Sequence, residues 1–196
     1  MNLTKITLAL CAATFLSSAA FADTVAENSQ QRNVNQQERI QQGLQSGELS
    51  TKEAGRLERE QQHVDRMQAR SLRDGEVSAG EQARLNRAQN AASADIYRQK
   101  HDVQAGNPNS ASSLRMQTDV QRNVNQQQRI QNGMENGSLT NHEAARLEAG
   151  QARTDRKIAN AAADGRVGAA EQGHIRRSEN RQSAHVYRKK HNARSK

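Results

Sequence analysis

Apolar residues along this chain recur mainly at intervals of three and four positions, the spacing of one face of an α-helix. After Ser50 they are Ala54, Leu57, Val64, Met67 and Leu72, and after Ser78 they are Leu85, Ala88, Ala92 and Ile96. An earlier and more polar stretch carries Val34, Ile40 and Leu44. The pattern predicts one helix over residues 31–45, a second from Ser50 to the Asp74-Gly75 stop, and a third from Ser78 to Tyr97.

The whole arrangement then occurs a second time. Residues 31–101 align without a gap with residues 121–191, so that the run Gln31 to Gln37 returns as Gln121 to Gln127. Repetition at a fixed period indicates a duplicated structural unit, and short connections favour antiparallel helices. We therefore predict an all-α fold of two tandem three-helix units, residues 23–101 and 118–196. A flexible linker over residues 102–117, which holds the only proline, Pro108, joins them.

One seven-residue stretch marks the predicted turns of both units. It begins at Gly47, Gly75, Gly137 and Gly165, and each copy has a branched apolar residue two places on and a glutamate six places on. Glycine can end a helix in the left-handed conformation, and a Ser/Thr–Glu pair such as Ser50 and Glu53 can cap the next one. We also expect the branched residues to meet within each unit, Leu49 with Val77 and Leu139 with Val167.

The same stretches resemble the second half of an EF-hand calcium loop, which has glycine at position 6 and a bidentate glutamate at position 12. The resemblance implies Ca²⁺ or another divalent cation as cofactor. The earlier loop positions fit the caps better, because Leu44 and Arg70 would stand where oxygen ligands are needed. Cation binding is thus the alternative interpretation. Its candidate ligands are Asn132, Asn136, Glu143, Asn160, Asp164 and Glu171.

Residues 1–22 have the pattern of a cleavable signal peptide. Lys5 precedes the apolar run from Ile6 to Phe15, and Ala20-Phe21-Ala22 supplies a small-residue cleavage site. We expect a periplasmic or secreted protein with no transmembrane segment. Cys11 is the only cysteine and lies within this peptide, so the exported chain would carry no disulfide.

The exported part has little material for a large core or a catalytic cleft. Tyr97 and Tyr187 are its only aromatic residues apart from histidine. The six histidines show no pair at the four-residue spacing of helical metal ligands. No pattern of nucleophile and base or of a phosphate loop is present. The sequence therefore predicts a protein that is not an enzyme.

Positive charge is concentrated in the second half of the chain. Residues 23–101 hold twelve basic and twelve acidic residues, whereas residues 102–196 hold sixteen and nine. The helical period places a basic face opposite the apolar face of the last helix of each unit. Its candidate binding residues are Arg87, Arg98, His101, Arg177, Arg181, Arg188 and His191. Arginines in such a row can bind phosphates or carboxylates bidentately, although a face of this kind can also serve solubility alone.

The glycine–hydroxyl–glutamate plan, with a closing Tyr-x-x-x-His at Tyr97 and Tyr187, resembles exported helical-repeat proteins of proteobacteria. A helical, basic and cysteine-free mature chain is also similar to the Spy family of periplasmic chaperones, which implies partly unfolded clients. We expect a non-enzymatic binding protein, chaperone-like action included, whose partner is a protein or an anionic envelope polymer. Nucleic acid is not expected, since aromatic residues for base stacking are scarce.

Overall fold

The computed structural model describes residues 17–192, with side chains from Ala26 onward. Every regular element in this range is an α-helix, which confirms the predicted all-α fold. Residues 1–16 of the predicted signal peptide lie outside the described residues. The helices are α1 (Ser17–Ser46), α2 (Thr51–Ser71), α3 (Ala79–Lys100), α4 (Ala111–Glu135), α5 (Asn141–Ala161) and α6 (Ala169–Lys190).

The turns between helices follow the predicted glycine and capping-box chemistry. All four motif glycines have positive φ, with values of 82° at Gly47 and 70° at Gly137. At the start of α2 the Ser50 N–H donates to the Glu53 carboxylate at 2.8 Å, and the Glu53 N–H donates to the Ser50 hydroxyl at 3.3 Å. Thr140 and Ser78 begin α5 and α3 in the same way. The motif therefore ends one helix and starts the next.

Two boundaries differ from the sequence-based prediction. Helix α1 begins at Ser17 rather than at residue 31. Helix α4 begins at Ala111, because the Ser110 hydroxyl accepts a hydrogen bond from the Ser113 N–H at 3.1 Å and caps it. Residues 111–117 of the expected linker are therefore helical. The rest is tied to the first turn, where the Gly106 N–H donates to the Gly47 carbonyl at 2.8 Å.

Equivalent helices of the two repeats pack against each other. Helix α2 makes its most extensive contacts with α5, and α1 makes its most extensive contacts with α4. The α2–α5 pair is antiparallel, since the start of α2 at Gly55 adjoins Ala162, just past the end of α5, and the Gly75 turn after α2 adjoins His142 near the start of α5. Helices α3 and α6 pack on the outside of this four-helix centre. Each predicted three-helix unit is therefore one half of a joint body with approximate two-fold symmetry.

The apolar core crosses the boundary between the repeats. The main buried cluster joins Ile40, Leu57 and Ile96 of the first repeat to Ile158 and Ile175 of the second. Leu49 belongs to this cluster together with Val167, while Val77 packs against the cluster that contains Leu139. The prediction that these residues meet within each unit is thus wrong. The antiparallel pairing of α2 with α5 places each turn beside a turn of the other repeat instead.

A layer of polar side chains fills the space that the sparse apolar residues leave between the repeats. It includes four carboxyl groups at most 1% exposed, those of Glu58, Asp65, Glu148 and Asp155. Asparagine side chains at equivalent positions of the two repeats donate hydrogen bonds to aspartates that are also at equivalent positions. Asn33 donates to Asp65 at 3.3 Å, and Asn123 donates to Asp155 at 2.8 Å. The two aspartates stand at matching repeat positions and lie close enough to alter each other's pKa, so they lie beside the approximate two-fold axis.

Burial favours the protonated form of these carboxyl groups by raising their pKa values. It raises the pKa of Glu148 to about 8 and that of Asp155 to about 7. Burial, and then the nearby charge of Asp155, raises the pKa of Asp65 well above its usual range. The pKa of Glu58 is raised for the same two reasons. A protonated carboxyl can donate one hydrogen bond and avoids the free-energy cost of a buried charge. The layer is closed to solvent, so it belongs to the fold rather than to a ligand site.

Candidate functional site

A groove between α5 and α6 collects most of the positive charge on the surface of the second repeat. Its centre has a volume of about 450 Å³ and a floor of Thr154, Ser178 and Gln182. Its rims carry arginine and lysine, and neither its centre nor the adjoining part toward the start of α5 contains an acidic lining residue. The cations along this α5–α6 groove are Arg146, Arg153, Arg156, Lys157, Arg177, Arg181, Arg188 and Lys189.

Helical spacing aligns these cations in two rows. Arg146, Arg153 and Lys157 follow one another on α5 at steps of seven and four residues, which return to the same face of a helix. Arg177, Arg181 and Arg188 do so on α6 at steps of four and seven. At a rise of 1.5 Å per residue, each row is about 16 Å long. The groove therefore presents two facing rows of positive charge.

Hydroxyl groups hold one of these cations at the floor. The Lys157 ammonium donates to the Ser178 hydroxyl at 3.0 Å, and that hydroxyl lies 3.3 Å from the Thr154 hydroxyl in a second hydrogen bond. Because Gly150 has no side chain, Gln182 fits against α5, and its amide donates to the Leu147 carbonyl at 2.8 Å. A Cβ at Gly150 would come within 2.1 Å of the Gln182 side chain. The floor is therefore polar, and Gln182 occupies the space that the missing side chain at Gly150 leaves.

Most cations of the groove form no ion pair within the described residues. Burial lowers the pKa of Lys157, and the nearby charges of Arg181, Arg156 and Arg153 lower it further. Of the eight groove cations, only Lys189 takes part in an ion pair within residues 17–192, with Glu143 at 3.5 Å. Like charges held together without counter-charges create a positive potential that attracts anions. Positive charge therefore predominates in the groove, with Glu171 at the end that Arg177 lines.

The equivalent seam of the first repeat, between α2 and α3, is apolar. Val64 and Ala92 belong to a buried cluster there, and Met67 and Ala88 pack against it. In the second repeat the same four positions hold Thr154, Gln182, Lys157 and Ser178, in that order. The duplication therefore provides an internal comparison. Apolar side chains fill the seam in the first repeat, whereas polar and charged side chains line it in the second.

Acidic residues also distinguish the two seams. Glu60 and Asp95 stand in the first repeat at the positions of Gly150 and His185 in the second. Asp95 forms an ion pair with Arg98. Arg181 and Lys157 have the uncharged counterparts Ala91 and Met67. The seam of the second repeat therefore carries more positive charge and fewer acidic residues than the seam of the first.

The structure separates the predicted basic-face residues into three groups. Arg177, Arg181 and Arg188 line the groove, whereas Arg87 and Arg98 are exposed on the first repeat, outside it. The rings of His101 and His191 stack on Tyr97 and Tyr187 with centroids 4.1 and 4.2 Å apart. The Nδ1–H of each histidine donates to the carbonyl of that tyrosine at 2.7 Å. Both histidines thus close a helix end.

Sequence reasoning missed the contribution of α5 to the groove. Arg146, Arg153 and Lys157 have helical spacing, but their importance depends on α6 lying beside them. A position-by-position comparison of the repeats would have identified Lys157, because its counterpart Met67 is apolar. The same comparison would have shown that the acidic residues Glu60 and Asp95 of the first repeat correspond to Gly150 and His185 in the second.

Four of the six candidate ligands of the alternative cation site hydrogen-bond within turns and helix caps. Asn136 accepts from the Ser138 N–H at 3.0 Å, and Asp164 accepts from the Arg166 N–H at 2.8 Å. Glu171 accepts from the Gly168 N–H at 2.8 Å, and Glu143 bonds to Thr140, Lys189 and Asn192. Asn132 and Asn160 are exposed on their helices. Across residues 17–192, no group of three or more histidine, cysteine, aspartate or glutamate side chains could hold a metal ion.

Within the described range, none of the helices has the length and apolar character needed to cross a membrane. Comparisons with protein-family models, with curated proteins and with solved structures find no match for this chain.

Proposed function

We propose that this chain is an exported, non-enzymatic binding protein that holds an anionic polymer in the α5–α6 groove. The observation that carries the proposal is the group of Lys157, Arg153, Arg156 and Arg181, which repel one another and form no ion pair within the described residues, although Glu171 lines the far end of the groove. Maintaining such a group costs folding free energy. A bound polyanion would remove that cost, because it supplies the counter-charges that the protein omits.

Binding is favoured over catalysis by the surroundings of Ser178. The Lys157–Ser178 hydrogen bond at 3.0 Å has the geometry of a base beside a nucleophile. Acyl transfer also needs free N–H donors to stabilise the oxyanion. Ser178 lies in the middle of α6, where the backbone N–H groups are engaged within the helix. The pair therefore holds Lys157 in place rather than performing a reaction.

The shape of the groove favours an extended ligand. Two rows of cations, each about 16 Å long, can contact several charges of a linear polymer at once. Apolar client binding has less support, because the large exposed apolar side chains of the described residues are only Tyr97, Val103, Leu114 and Tyr187. These four stand on α3, in a connection, on α4 and on α6. They do not line the α5–α6 groove.

Matched charge reversals in the two repeats test the proposal. The variant R146E/R177E/R188E alters the groove, and R56E/R87E/R98E changes the same three positions of the first repeat with the same change in net charge. Binding of fluorescein-labelled heparin, a sulfated polysaccharide, is followed by fluorescence anisotropy at several salt concentrations. We expect the groove variant to bind at least about tenfold more weakly than the first-repeat variant.

Equal losses in the two variants would overturn the proposal, because binding would then follow net charge rather than the groove. Failure of the unaltered protein to bind heparin or any other polyanion at low salt would also overturn it. Affinity should fall as salt is raised, since the contacts are between exposed charges.

A further inference from the structure

The floor of the α5–α6 groove differs chemically from its rims. The rims present arginines to solvent, whereas at the floor one lysine donates to the Ser178 hydroxyl, which in turn hydrogen-bonds to the Thr154 hydroxyl. Ser178 is 8% exposed, and Thr154 is fully buried. A cluster built only for general attraction of anions needs no such support, because exposed cations on flexible side chains suffice for it. The floor therefore points to a fixed position for one group of the ligand.

The hydrogen bonds of Lys157 show what it can offer that group. An ammonium group has three N–H donors. One of them donates to Ser178, and this is the only acceptor of Lys157 within the described part of the chain. The other two are available toward the groove, where Arg153 and Arg181 each add a guanidinium group. Ser178 is a positioning residue, since it fixes the direction of the ammonium group.

Resting on the proposed function, we propose that this floor is a phosphate site, in which Lys157, Arg153 and Arg181 bind one phosphate group of a linear polymer. A bridging phosphate in such a polymer presents two free oxygens and a terminal one presents three, each able to accept more than one hydrogen bond. Two arginine forks and an ammonium group supply enough donors for all of them. A carboxylate has two oxygens in one plane and carries at most one charge, so it would engage fewer donors of the floor than a terminal phosphate, with its three oxygens and up to two charges.

The first repeat supplies a natural replacement for this floor. T154V/K157M/S178A installs the residues that stand at the same positions in the α2–α3 seam. Those residues already pack in this fold, where Val64 is 1% exposed. The variant should therefore fold, and retained helicity and melting temperature by circular dichroism would show that it does. S178A alone is a milder variant that keeps Lys157 but removes its support.

The experiment compares two probes by isothermal titration calorimetry, linear polyphosphate and polyglutamate of similar charge. We expect the unaltered protein to prefer polyphosphate. T154V/K157M/S178A should lose at least about tenfold in affinity for polyphosphate and about twofold or less for polyglutamate. S178A should lower the preference without abolishing binding. Inorganic pyrophosphate, as a third probe, should bind weakly and compete with polyphosphate, which would identify the phosphate group itself as the recognised feature.

Three results would overturn the phosphate site. They are equal losses for both probes in the triple variant, unchanged polyphosphate affinity in that variant, and no competition by pyrophosphate. In each case the binding of polyanions by the groove, and with it the proposed function, would still stand. If neither polymer bound to the unaltered protein, both proposals would fall together.

Discussion

Replacement of Glu148 by glutamine tests whether the polar layer between the repeats depends on bound protons. The pKa of Glu148 is raised by burial to about 8, compared with 4.5 for an exposed glutamate. The folded state therefore keeps a proton that the unfolded chain releases as the pH rises above about 4.5. The resulting stability is complete below that pH and is lost as the pH rises through about 8.

The size of the effect follows from this difference. A carboxyl group that is protonated only in the folded state lowers the free energy of unfolding by about 1.4 kcal/mol for each rise of one pH unit. From pH 5 to pH 8 the loss due to Glu148 alone is about 3.5 kcal/mol, compared with about 5–15 kcal/mol for the whole stability of a typical domain. Asp65, Asp155 and Glu58 have raised pKa values too, so they add to the loss.

Glutamine has nearly the shape of protonated glutamate and does not ionise. We expect E148Q to match the unaltered protein within about 1 kcal/mol at pH 5 and to exceed it by about 4 kcal/mol at pH 8. Urea unfolding followed by circular dichroism at several pH values measures both. E76Q, at an exposed position, is the control and should leave the pH dependence unchanged. Stability that stays constant or rises from pH 5 to pH 8, or an E148Q variant with the slope of the unaltered protein, would refute the reasoning.

Further predictions concern the turns. Gly137 has φ of 70°, so G137A should lower the free energy of unfolding by about 1 kcal/mol, although no other atom lies within 4 Å of the added Cβ. Gly80 lies in the first turn of α3 and has the same free space, so G80A should raise the free energy of unfolding by about 0.5–1 kcal/mol. If urea unfolding showed that both variants change stability in the same direction, the explanation from φ would be contradicted. Because Glu143 and Glu171 serve as helix caps, the melting temperature should be the same in EDTA and in Ca²⁺, and a marked rise with Ca²⁺ would favour the cation-binding alternative.

Local chemistry was predictable from the sequence, and the pairing of the repeats was not. The capping pair Ser50 and Glu53 and the core residue Leu57 depend on neighbours a few positions away, so a short pattern is enough. A duplicated pattern offers each apolar face two equivalent partners, one in its own repeat and one in the other. Nothing in the spacing of Leu49 decides between Val77 and Val167.

The buried polar layer escaped prediction for a different reason. Sequence patterns place glutamine, asparagine and carboxylates on the surface, because an isolated polar group is costly to bury. Here amides such as Asn33 and Asn123 pair with carboxyls such as Asp65 and Asp155, which lowers that cost. Those partners are more than thirty positions apart. The groove cation Lys157 escaped for the same reason, since its neighbour Ser178 lies on the next helix.

The crossing of the core between the repeats has a consequence for how the chain reaches its folded state. Leu49 and Leu57, in the first repeat, are buried together with Ile158 and Val167, which the ribosome adds much later. The first half of the chain can thus form helices and the small α2–α3 cluster as it emerges, but its main core needs residues of the second repeat. Contacts so distant in sequence are typical of slow folding. Until synthesis passes α5, the nascent protein exposes apolar surface of the first repeat that the second repeat later covers.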